Sequence, residues 1–421
     1  MRQPKILTTI KTYSWQIFVN DLLAGATVAM VALPLSLAIA IASGADPAKG
    51  IVTAIVGGFL ISLFGGSRVQ IGGPTGAFIV VVFGVIGQHG YDGLVLATLM
   101  AGIILLLGGY FRAGNLIIFI PEAVVNGFTI GIGIIIATSQ LKDFIGLSID
   151  NVPADFLEKI PLFWEARETF SIASLIIALV TLTLIVFLRR VKPRFPGLIV
   201  AIGISSALVA SMSLPVDTLG SRFGELPSQL PCPELPDLST SRIIELLPSA
   251  FIIAFLAAVE SLLSAMVADK MIEGKHRPNA ELSAQGIANI ASAMFAGLPV
   301  TGAIARTATN IKAGGKTPLA GIIHAIVILL VMSLAAPLAS YLAMPALAAL
   351  LIITAWNMTE PHKWCEYARG KKSDVGLLLL TLVLTVVVDL TVAIGVGVSV
   401  GLALSLLHRK VEESDWSPPD R

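Results

Sequence analysis

A chain of 421 residues with 55% hydrophobic and 13% charged residues and a mean hydropathy of +0.87 has more apolar surface than a soluble domain of this size can hide, so it reads as an all-α polytopic membrane protein. The net charge of +1, with no basic stripe beyond the loops, excludes an electrostatic nucleic-acid partner. The two cysteines, Cys232 and Cys365, fall on opposite predicted sides of the bilayer, which excludes a disulfide framework; both are expected to be free thiols without a metal role.

Apolar runs of about 17–25 residues are long enough to cross a bilayer. In chain order they predict segments at 21–42, 50–64, 74–87, 93–110, 122–140, 171–188 and 195–213. A polar, proline-rich external connector follows at 214–245. Further segments are predicted at 246–266, 281–296, 301–312, 318–335, 340–356, 373–389 and 390–407. The expected organisation is a seven-segment repeat over 1–213, the connector, a second seven-segment repeat over 246–408 and a tail over 409–421. The first segment follows basic residues, as a secretory signal would. Its length and Pro34 near its middle suit a kinked transport helix better than the 7–15-residue core of a signal peptide. Most of the 28 Lys and Arg residues, among them Arg189, Arg190, Lys270, Lys275, Lys363 and Arg369, share a predicted side with both termini, which the positive-inside rule makes cytoplasmic.

The third and tenth segments are too short to cross alone, and both begin at a break. The breaks are Gly72-Gly73-Pro74-Thr75-Gly76-Ala77 and Gly297-Leu298-Pro299-Val300-Thr301-Gly302-Ala303. An unpaired backbone group in hydrocarbon costs several kcal/mol, so chain that cannot be continuous helix survives at membrane depth only where it lines a cavity or is buried in protein. Paired breaks in matching halves therefore predict a transport site, where the freed N–H groups and positive dipole ends of two half-helices attract an anion. Thr75 and Thr301 are expected to cap these helices or to offer a hydroxyl to substrate.

Three ionisable residues lie inside predicted segments well away from their ends. Glu260 stands among apolar neighbours with no base close in sequence, an expensive placement that predicts a protonatable group coupling substrate to protons. Arg306, one turn into the tenth segment, must face protein or water and is expected to attract the anion, to partner Glu260, or both. His324, alone on an apolar helix, is expected to be a hydrogen-bonded structural residue. Gly314-Gly315-Lys316-Thr317 has the tail of a phosphate-binding loop, but Asn310 stands where its leading glycine belongs and no strand precedes it, which argues against nucleotide binding.

Six stretches together carry a family resemblance: Ala32-Leu33-Pro34, Gly72 to Phe78, Val259-Glu260-Ser261-Leu262-Leu263-Ser264-Ala265, Leu298 to Arg306, Ala313 to Thr317, and Ala355-Trp356-Asn357-Met358. Along essentially its whole length the chain resembles the SulP (sulfate permease) family. That resemblance implies a seven-plus-seven inverted repeat with core and gate domains, a homodimer, and a multi-pass protein of the bacterial inner membrane. It also implies a secondary active anion transporter working by an elevator-like movement, and not an enzyme. Carried onto this sequence, the family's anion site nominates Leu35, Ser36, Gly76, Ala77, Phe78, Glu260, Ser264, Ala303, Ala305 and Arg306, with helix breaks at Pro74, Thr75, Pro299 and Thr301 and no cofactor or metal. Members often have glutamine or a carboxylate just after the first-segment proline; here Leu35 stands there, which moves the proton role to Glu260. Where the cyanobacterial sodium-bicarbonate member has aspartate, Glu260 favours proton symport. Members commonly continue into a cytoplasmic STAS domain, which would begin in the tail. The stretch from Gln140 to Leu147 looks closest to the bacterial C4-dicarboxylate member, so sulfate, bicarbonate and C4-dicarboxylates are the candidate substrates. Passive channel or exchange activity on the same fold is the alternative.

Overall fold

The computed structural model describes residues 3–115, 121–149, 152–153, 156–191, 196–388 and 390–408; the predicted tail, 409–421, lies outside the described residues. The principal helices are α1 (Trp15–Ala42), α2 (Pro47–Phe64), α3 (Ile79–Tyr110), α4 (Glu122–Ser139), α5 (Ile172–Val191), α6 (Gly197–Ser211), α7 (Thr240–Ile272), α8 (Pro278–Met294), α9 (Ile304–Lys312), α10 (Leu319–Ala339), α11 (Met344–Met358), α12 (Lys372–Val387) and α13 (Leu390–His408). Among the described residues seven are long and apolar enough to cross a membrane: α1 to α5, α7 and α10. Local chemistry sets several starts. The Ser14 hydroxyl accepts from the Ile17 N–H ahead of α1, and the Asp46 carboxylate accepts from the Ala48 N–H ahead of α2, where Pro47 occupies the first position.

Two packing groups result. In one, α3 lies along α8 and α7, α10 along α1 and α2, and α8 against α2; in the other, α4 packs on α12 and α11, and α11 on α5. The α3–α8 contact is close because Gly102 and Gly286 face each other: a Cβ on either would stand 2.7 or 2.8 Å from the other's carbonyl oxygen.

Both predicted breaks exist. A 3-10 turn over Gly76–Phe78 leads into α3, whose backbone leaves the helical region at Gly90 (φ 73°, ψ 178°), so α3 is two helices joined at a kink that falls in the predicted gap between the third and fourth segments. The second half-helix starts at Ile304, because Thr301 and Gly302 are used otherwise. They form strand β2, antiparallel to β1 (Gly72–Gly73), with Gly72 opposite Gly302 and Gly73 opposite Thr301. The Ala303 N–H extends the ladder to the Ile71 carbonyl at 2.9 Å. The two breaks thus satisfy each other's backbone where no water would.

The sequence that imitates a phosphate loop has a structural explanation. Asp21, fully buried on α1, accepts from the Lys316 N–H (2.7 Å), the Thr317 N–H (3.2 Å), the Thr317 hydroxyl and the Tyr13 hydroxyl (3.3 Å), and so anchors the turn between α9 and α10. Burial, then the charge and hydrogen bond of Asp21, push the Tyr13 phenol up to about 12. Asp21→Ala leaves these donors unpaired at a cost of about 1–3 kcal/mol each. We expect a lower Tm for the detergent-solubilised variant; an unchanged Tm would contradict the anchoring role.

Candidate functional site

The paired breaks end one wall of a cavity of about 800 Å³ between the two helix groups. From the first group come Leu35, Pro74, Thr75, Gly76, Ala77, Glu260, Gly302, Ala303, Ala305 and Arg306; the facing wall includes Asn126, Thr129, Thr354 and Asn357 from α4 and α11. One end is ringed by charged residues, among them Arg189, Lys270, Lys275 and Lys363 with Asp269, Glu273 and Glu360. There the Tyr367 hydroxyl donates to Glu360, and burial together with that carboxylate pushes the phenol up, so it remains a neutral donor.

Arg306 is 1% exposed. Its Nη2 donates to the Ser36 hydroxyl and to the Pro74 carbonyl, both at 3.1 Å, while Nε and Nη1 have no hydrogen-bond partner among the described residues. Such donors, shielded from water, cost about 1–3 kcal/mol each unless a ligand meets them. Glu260, half-buried on α7, accepts at Oε2 from the Thr75 hydroxyl at 2.7 Å. Among the described residues no ion pair joins Arg306 to Glu260, so the expected partnership is replaced by two separate contacts with the first break.

Other expectations are redistributed. Neither threonine caps its helix: Thr75 spends its hydroxyl on Glu260, and the Thr301 hydroxyl is bound to the Ala257 carbonyl (3.1 Å) and to the Ser261 hydroxyl (2.6 Å). Ser36, Phe78, Ser264, Pro299 and Thr301 are buried and do not line the cavity. Ser264 meets Thr307 at 3.3 Å, and Ser36 touches Arg306 from behind. His324 is fully buried, yet neither ring nitrogen has a hydrogen-bond partner among the described residues, contrary to the satisfied residue expected. The cavity-lining polar residues Asn126, Thr129 and Thr354 were missed, although a hydroxyl or amide within an apolar run is the available signal.

Gly73 holds φ at 158°, and a Cβ there would lie 1.9 Å from Arg306 Nη1. Gly73→Ala is expected to displace the guanidinium and weaken anion binding at least about tenfold, a loss of about 1.4 kcal/mol. Equal affinities in the purified variant and wild type would contradict this placement of the side chain.

Comparison with known proteins decides the family. The model of the sulfate permease family matches residues 18–381. The chain belongs to the sulfate permease family. YvdB of Bacillus subtilis, which carries a provisional name as a sulfate transporter, is 43% identical over 373 residues, covering 88% of this chain and 70% of YvdB. The bicarbonate transporter BicA of Picosynechococcus is 31% identical over 340 residues, covering 78% of this chain and 60% of BicA. The solved transmembrane domain of a cyanobacterial BicA superposes with a TM-score of 0.81 at 30% identity, over 90% of this chain and 98% of that one. Murine Slc26a9, at 19% identity and a TM-score of 0.87, shares the fold. These relatives of the sulfate permease family chain are named as transporters, not as enzymes.

Proposed function

We propose that this sulfate permease family protein is a proton-coupled symporter of small anions, with sulfate and bicarbonate the first candidates. The observation that carries this reading is Arg306. It is a guanidinium buried between two half-helix starts, with Nε and Nη1 unpartnered among the described residues, beside a cavity whose wall also bears a carboxyl. An anion at this point would pair those donors and feel the positive ends of α3 and α9. Gly76, Ala77, Ala303 and Ala305 leave room for it, and Leu35 closes the apolar side. The names of YvdB and BicA support sulfate and bicarbonate; a C4-dicarboxylate rests on the stretch from Gln140 to Leu147 alone.

Glu260 and a bound anion cannot comfortably both be charged in one low-dielectric pocket, so a proton on Glu260 accompanies the substrate. The two packing groups act as core (α1 to α3 and α7 to α10) and gate (α4 to α6 and α11 to α13) of a seven-plus-seven inverted repeat. The core carries the site across by an elevator movement. The charged end of the cavity is its cytoplasmic mouth in this reading, with both termini in the cytoplasm of a protein in the bacterial inner membrane that works as a homodimer; the positive-inside bias of the loops supports that orientation. Counterflow of labelled sulfate and of labelled bicarbonate in proteoliposomes tests this. We expect at least one to exchange, and transport of neither would refute the substrate class.

A further inference from the structure

Two strands of two residues, three of them glycine, hold the breaks together. Glycine-rich pairs this short fix register weakly, and a slip of one residue would move one half-helix start by about 3.3 Å along the other. That is larger than the size difference between sulfate and bicarbonate, so something else must hold the register. One face of α8 does so. Glu281, Gln285, Asn289 and Ser292, spaced four, four and three residues apart, form a single stripe, and all four are fully buried.

The stripe grips the chain leading into both strands. Glu281 Oε2 accepts from the Gly66 N–H (2.8 Å) and the Ser67 N–H (3.2 Å), and its Oε1 accepts from Gln70 Nε2 (3.1 Å) and Gln285 Nε2 (2.9 Å). This fixes the chain that leads into β1. Asn289 grips Val300, the residue before β2, on both sides: Nδ2 donates to its carbonyl at 2.8 Å and Oδ1 accepts from its N–H at 3.0 Å. Ser292 donates to the Leu298 carbonyl at 2.7 Å, and the Leu298 N–H donates to Thr53 Oγ1 on α2 at 2.6 Å. Glu281 and Asn289 are eight residues apart on one rigid helix, so the separation of their two grips is set by α8 and not by the strands.

We propose that the buried polar stripe of α8, with Thr53 of α2, is the register device of the anion site. Its residues are positioning residues that set the spacing of the two half-helix starts and so the selectivity among anions of different size. This rests on the transport reading above. The stripe touches no substrate; it acts through Val300 and Leu298 on the backbone that ends at Ala303.

Thr53→Val removes the acceptor for the Leu298 N–H with little change in shape, and Thr53→Ser restores it. Asn289→Ala removes the Val300 grip. KM and maximal rate for labelled sulfate and bicarbonate are measured in proteoliposomes, with rates normalised to monodisperse protein. We expect both Thr53→Val and Asn289→Ala to raise the KM of the better substrate at least fivefold and to shift the sulfate-to-bicarbonate KM ratio, with Thr53→Ser like wild type. Monodisperse variants with wild-type KM values and ratio would overturn the proposal. So would recovery of both only as aggregate, which would make the stripe a folding element. Wild type carrying neither anion would instead refute the transport reading and this proposal with it.

Discussion

Arg306→Ala is expected to abolish most anion binding while leaving a monodisperse, folded protein. The side chain brings a charge to the cavity wall between the half-helix starts, with Nε and Nη1 unpartnered among the described residues. Hydrogen bonds to charged groups contribute about 1.5–3 kcal/mol each, so affinity should fall roughly 10- to 150-fold for one such bond lost. The dipoles of α3 and α9 remain, worth roughly 0.3–2 kcal/mol, and should leave weak residual binding. Folding is expected to survive because the substitution also removes a buried charge that has no ion-pair partner among the described residues, which offsets part of the packing lost. The Pro74 carbonyl and the Ser36 hydroxyl lose a donor, which limits any gain. Arg306→Lys keeps the charge but not the planar fork and should fall between alanine and wild type. Unchanged dissociation constants for sulfate, bicarbonate and succinate in the alanine variant would remove Arg306 from the site.

The second large effect is expected at Glu260. Glu260→Gln mimics the protonated side chain, and its amide can still pair with the Thr75 hydroxyl. The variant should therefore bind anion and exchange it across the membrane at rates near wild type, yet fail to accumulate it against a gradient. Wild-type uptake should rise as external pH falls toward about 5–6, because proton and anion binding are linked and each raises the affinity for the other. The glutamine variant should lose that dependence. If it concentrates anion under an imposed proton gradient as well as wild type does, the proton travels by another group. His324, fully buried and with both ring nitrogens unpartnered among the described residues, is then the next residue to replace.

Both breaks were legible because Gly72, Gly73, Pro74, Pro299 and Gly302 are residues that interrupt a helix wherever they stand. What was not legible is what the breaks do to each other. The pairing of Gly73 with Thr301 joins positions more than two hundred residues apart, and no local pattern records it. That pairing moved the start of α9 to Ile304 and took the Thr301 hydroxyl away from capping. Gly90, the non-helical residue at which α3 kinks, lies in the gap left between the third and fourth predicted segments. The ninth predicted segment begins at Glu281, although a carboxylate in hydrocarbon is normally excluded. Its four hydrogen bonds, supplied by distant chain, remove that objection. Its repeat with Gln285, Asn289 and Ser292 was visible all along as a helical stripe. The contact between Glu260 and Thr75, in place of one with Arg306, depends on how α7 is rotated, which sequence periodicity does not fix.

Coupling of anion movement to protons is tested most directly by purified wild-type protein in proteoliposomes loaded at pH 7.5, with labelled sulfate or bicarbonate outside at equal concentration. An external pH of about 5.5 for sulfate, or a gradient of about one pH unit held near neutrality for bicarbonate, supplies the driving force. Transient accumulation of label above the external concentration, beyond that in protein-free liposomes and abolished by a protonophore, is the predicted result. Label that only equilibrates, at the same rate and to the same level with and without the gradient, would contradict proton-coupled transport.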